Sequence, residues 1–121
     1  MAKTKSILSD SVVIYFSQED NCWIAHGLRT DQIGTGDRIV DALAEVLRAV
    51  QAIYQEALKD GSLAVYREAP KEIRDMFKTA KKLPGEIFEV AHKIAHGTWP
   101  AGWNPPEPKT AESFKTELIP A

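Results

Sequence analysis

His92 and His96 stand four residues apart, the spacing that puts two imidazoles on one helix face, and Glu89 precedes His92 by three. A Glu-x-x-His-x-x-x-His set is one that a divalent metal ion can use. The third histidine, His26, belongs to another element, and the dipole favours cationic histidines near a helix C-terminus in any case. The pair is therefore read as a surface feature, and no metal or other cofactor is expected. Cys22 and His26 have the types of a nucleophile and its base, but four residues along one strand separates them by about 13 Å, too far for proton transfer. Two-metal hydrolysis would need carboxylates projecting from a first strand, and Val12-Val13-Ile14-Tyr15-Phe16 contains none. The chain is not expected to be an enzyme.

Binding chemistry has two candidates. Lys71, Arg74, Lys78 and Lys81 or Lys82 recur at spacings of three and four, a basic stripe opposite Ile73, Met76, Phe77 and Ala80 that could touch phosphates. Between Arg67 and Gly97, however, seven basic residues stand against five acidic ones. A solvated face with local ion pairs accounts for that balance. A helix-turn-helix reading fails on its second helix, which begins Gly85-Glu86-Ile87-Phe88-Glu89 and would present carboxylates to DNA. Trp99 and Trp103, set among prolines, either pack back against the last helix or offer an aromatic contact to a partner.

These side chains need elements to position them. Residues 1–10 are polar and read as a frayed start. Val12–Phe16 and Cys22–His26 read as two antiparallel strands joined by the turn Gln18-Glu19-Asp20-Asn21, and Arg29–Ile33 as a short third strand before Gly34-Thr35-Gly36 turns the chain. Asp37 is a suitable N-cap for a long helix to about Lys59, with Ile39, Leu43, Val46, Leu47, Val50, Ile53, Tyr54 and Ala57 along one face and Gly61 to end it. Leu63–Tyr66 suits a fourth strand. Pro70 and Pro84 each open a shorter helix, the second ending at Gly97. After Thr98, prolines interrupt regular hydrogen bonding, and 98–121 reads as an extended Pro- and Trp-containing tail, in which Glu117-Leu118-Ile119 could add to the sheet edge of a neighbouring copy. The expected fold is α+β: a small antiparallel sheet of three or four strands packed by one long helix, then two shorter helices, with 11–97 a single domain.

The chain has 121 residues and a formal charge of −2, enough length for one core and no general attraction to nucleic acid. No apolar run approaches the roughly 18 residues of a membrane span, the start lacks the apolar stretch of a secretory signal, and the single Cys22 cannot form an internal disulfide. A cytoplasmic location is expected.

The order of strand, acidic turn, strand, short strand, Gly-Asp and amphipathic helix over about 11–66 resembles the HicB-like antitoxin family. The family's Gly-Asp-Thr/Ser-x-x-Glu-Ala motif has its counterpart in Gly36-Asp37-Arg38-Ile39-Val40-Asp41-Ala42, matching at Gly36, Asp37 and Ala42, with Arg38 in place of the hydroxyl residue and Asp41 in place of the glutamate. The resemblance implies a partial ribonuclease-H-like fold and a non-enzymatic domain that binds a small toxin-like ribonuclease. The family's usual C-terminal DNA-binding unit is not visible. A nucleic-acid-binding regulator using Lys71, Arg74 and Lys78 is the alternative. An open sheet edge also leads us to expect a homodimer or higher homo-oligomer.

Overall fold

The computed structural model describes residues 10–60, 67–97 and 112–118. Its elements are β1 (Asp10–Ser17), β2 (Cys22–Gly27), β3 (Ile33–Gly36), α1 (Ile39–Asp60), α2 (Lys71–Thr79), β4 (Lys81–Lys82), α3 (Gly85–Ala95) and β5 (Phe114–Leu118). The strands form one sheet in the order β3-β2-β1-β5-β4. The expectation of three or four antiparallel strands is therefore corrected: among the described residues the sheet has five strands and is mixed, because β4 runs parallel to β5. The proposed strand Leu63–Tyr66 and the cap at Gly61 lie outside the described residues.

The extra strands come from segments with little signal of their own. β5 lies in the stretch read as a tail, yet it pairs with β1 from Asp10↔Leu118 to Ile14↔Phe114 within the same chain. Leu118 is fully buried and Phe114 packs beside Trp23, ring centroids 6.4 Å apart. β4 is two lysines at the far edge. Long-range pairing, rather than local propensity, makes both segments strands.

Strand alternation divides the side chains between two faces. Val12, Ile14, Trp23 and Ala25 point to one face, where they meet Val40, Leu43, Val46, Leu47 and Val50 of α1 and Val90 and Ala91 of α3 in the main core. Arg48 of α1 donates to the Ile94 carbonyl at 3.2 Å, tying α1 to the end of α3. The Trp23 indole N–H is buried with no hydrogen-bond partner among the described residues, while its ring packs edge-on against Phe16 at 5.5 Å.

The Gly-Thr-Gly segment has a different role from the turn expected of it. Gly34 and Gly36 lie within β3, paired with Ala25 and Trp23, and it is Arg29–Thr30 that forms part of the preceding turn. A Cβ on Gly34 would stand 2.4 Å from the Ala42 carbonyl oxygen and 2.5 Å from the Val46 nitrogen. The glycines allow the backbone of α1 to lie directly on the sheet. The helix cap is also one residue later than expected: Arg38, not Asp37, offers its carbonyl to the amides of Asp41 and Ala42, both at 3.1 Å. Arg38 and Asp41 then form a two-point ion pair across the first turn at 2.8 and 3.1 Å, in place of a capping box.

Pro70 and Pro84 are the N-cap residues of α2 and α3, each supplying a carbonyl but no side-chain cap. Gly97 follows the α3 C-cap with φ +83°, the left-handed conformation that ends a helix with least strain when it is glycine.

Candidate functional site

Among the described residues, the sheet face opposite α1 is only half covered. α2 packs over β1 there, with Ile73, Met76 and Phe77 against Val13 and Tyr15. Cross-strand pairing places two rows of side chains on this face: Tyr15, Ile24 and Thr35 in one, Val13, His26 and Ile33 in the other. Val13 and His26 are buried, Tyr15 and Ile24 are half-buried, and Thr35 is exposed. Ile33 is 53% exposed, the one large apolar side chain in that state among the described residues. Cys22, half-buried and free, continues the face toward the β1–β2 turn. Burial raises the Tyr15 phenol above its ordinary range, and the nearby Asp20 and Cys22 add to the shift. Its hydroxyl therefore stays a neutral donor and acceptor beside the apolar patch.

A buried cluster holds the β2–β3 loop that presents Ile33. Asp10 is fully buried and accepts from the Arg29 amide at 2.7 Å and from the Thr30 hydroxyl. His26 Nε2 lies 2.6 Å from Asp31 Oδ1, and Asp31 itself has φ +57°. Gly27 sits against this cluster so closely that a Cβ there would stand 2.1 Å from Asp10 Oδ2. Asp10, expected in the frayed start, is thus the first residue of β1 and the anchor of a loop about twenty residues further on. Its oxygens are engaged by the loop, so β1 offers no free carboxylate pair for two-metal chemistry. His26 is 5% exposed and bonded to Asp31, and it lies four residues from Cys22 along β2. These groups organise the loop and do not form a nucleophile–base pair.

Among the described residues, both outermost strands carry features that oppose strand addition. On β3 the outward Thr35 amide is taken by the Glu45 carboxylate of α1. On the other side β4 is two residues long, both exposed lysines. Short edges and charged edge residues discourage pairing with another chain.

The basic stripe is largely neutralised. Lys71 and Lys78 both reach Asp75, at 2.6 and 3.4 Å, and Arg74 lies 3.6 Å from Glu68 while donating to the Ala69 carbonyl at 3.0 Å. The hydrogen bond from Lys71, then that from Lys78, holds the Asp75 carboxyl below the usual carboxylate range. Lys81 pairs with Glu112 at 2.6 Å. Trp99 and Trp103 lie outside the described residues. Of the motif residues, Gly36 and Ala42 meet where α1 crosses β3, Asp41 pairs with Arg38, and Asp37 is exposed.

Concavities also lie elsewhere on the described residues. One of about 430 Å³ lies between α2 and β5, lined by Phe77, Lys82, Lys115, Thr116 and Glu117, with Lys115 Nζ 5.2 Å from the Phe77 ring centre. Another runs along α3 beside Phe88, Glu89, His92 and Lys93. No group of three or more His, Cys, Asp and Glu is placed to hold a metal ion, and no helix is long and apolar enough to cross a membrane, both among the described residues.

Sequence reasoning missed Asp10, Thr30, Asp31, Ile33 and Glu45. Each acts through a partner at least five residues away or through exposure set by the fold, although Ile33 between two polar positions and Gly34 carries a faint alternation signal. Comparison with protein-family models, curated proteins and solved structures found no match.

Proposed function

We propose that this chain is a non-enzymatic interaction domain that docks one small, basic protein partner on the uncovered β2–β3 half of its sheet, as a HicB-type antitoxin domain binds a toxin-like ribonuclease. The observation that carries this is the exposed Ile33 beside half-buried Ile24 and Tyr15, on a face that α2 leaves open. An apolar centre with polar groups around it is the composition of a docking site. Charge supports a basic partner: between Ser17 and Arg38 the acidic residues are Glu19, Asp20, Asp31 and Asp37, against Arg29 and Arg38. Complementary charge raises the encounter rate and orients the partner. The protected edges direct docking, and any pairing of two copies, to this face. The proposed setting is the cytoplasm. The nucleic-acid alternative would require Asp75 to release Lys71 and Lys78, and Glu68 to release Arg74, so the ion pairs favour the protein reading.

The test is capture of a small basic protein from the native host on the full chain, followed by titration of the chain with that protein. Ile33→Asp is expected to weaken binding at least tenfold while leaving the thermal midpoint within a few degrees, because Ile33 contributes little to the core. Equal binding by wild type and variant would overturn the proposal.

A further inference from the structure

The last turn of α3 brings the His92 and His96 Nε2 atoms to 3.3 Å from each other. The ring centroids are 4.4 Å apart and the planes are inclined by 56°. The rings therefore converge on their Nε2 corners rather than stacking face to face. A direct N–H···N hydrogen bond at this separation is long, and it needs a single proton shared between the facing nitrogens.

A metal ion fits the same separation well. With Zn–N bonds of about 2.0–2.1 Å, two ligands at the tetrahedral angle hold their nitrogens about 3.3–3.4 Å apart. Adjacent ligands in a square-planar arrangement with similar bonds would be closer, about 2.9 Å. We propose that His92 and His96 form a two-imidazole site for a borderline divalent cation of the zinc class, with water completing a tetrahedral shell.

The surroundings support a cation at this position. His92 is in the C-terminal turn of α3 and His96 is its C-cap residue, where the helix dipole is negative. Glu89, one turn before His92, lines a groove of about 310 Å³ beside His92 and contributes negative charge there without being placed as a third ligand. Lys93 on that groove and Arg48, bonded to the Ile94 carbonyl, bring opposing charge, so the site is expected to bind more weakly than a closed four-ligand site. His96 is exposed and His92 half-exposed, which leaves room for water ligands. The site is independent of the uncovered sheet face, since α3 packs with α1 on the opposite side.

Calorimetric titration of the full chain with zinc sulfate at neutral pH tests this directly. One ion per chain is expected, with His92→Ala and His96→Ala each weakening binding at least tenfold and the double variant abolishing it. In the unaltered chain, zinc should move the imidazole Nε2 resonances of His92 and His96 together and leave those of His26 in place. That second measurement decides the matter if a variant fails to fold. Unchanged binding by a folded double variant, or movement of neither or only one of the two resonances, overturns the proposal.

Discussion

Gly34→Ala is expected to destabilise the fold by at least about 3 kcal/mol, read as a lower urea midpoint with an unchanged slope. The reason is the identity of what the new methyl would meet. Both nearest atoms, the Ala42 carbonyl oxygen at 2.4 Å and the Val46 nitrogen at 2.5 Å, belong to the backbone of α1. A flexible side chain could swing away, but a helix has to lift as a body, opening the core between Val40, Leu43 and Leu47 and the sheet. Gly85→Ala is the control, since nothing lies within 4 Å of a Cβ there. It should leave stability unchanged or raise it by up to about 1 kcal/mol through helix propensity. A Gly34→Ala protein as stable as wild type would show that α1 does not sit on β3 in this way.

Deleting residues 112–121 is expected to abolish the cooperative thermal transition. β5 lies between β1 and β4, so its removal strips one side of β1 of its hydrogen bonds and uncovers the core beside Val12 and Ile14. Leu118→Ala is the gentler variant. Leu118 is fully buried, and its truncation should cost about 2–5 kcal/mol. Against the 5–15 kcal/mol total of a typical domain, losing that side chain, Phe114 and the strand pairing together leaves little. A deleted chain that melts as wild type would remove β5 from the fold.

The helices were legible because their signals are local. The apolar face of α1, the prolines ahead of α2 and α3, and Gly97 after α3 all act within a turn or two of their own positions. The sheet was less so. Phe114, Thr116 and Leu118 alternate with Lys115 and Glu117, a period-two signal, but five residues beyond a Pro-rich stretch do not declare a strand until β1 pairs with them. Lys81 and Lys82 have no apolar pattern at all. Gly34 and Gly36 suggest a turn by composition, and only the position of α1 turns them into a contact surface.

The candidate site divides in the same way. The stripe Lys71, Arg74 and Lys78 could be read from spacing, and Asp75 at three and four residues from two of them already announced its neutralisation. Burial of Asp10 by Arg29 and Thr30 depends on a contact across about twenty residues, which no local pattern encodes. The exposure of Ile33 follows from where α2 ends its cover of the sheet. The spacing of His92 and His96 was plain, whereas the convergence of their Nε2 atoms is a property of the folded rings.

Backbone amide shift mapping with the small basic protein captured on the chain tests the central claim most directly. On addition of that protein to the isotopically labelled chain, the largest changes are expected at Tyr15, Ile24, Ile33 and Thr35, with α3 and the outer face of α2 little affected. Changes centred instead on Lys71, Arg74 and Lys78, or no changes at all, would contradict docking on the uncovered half of the sheet.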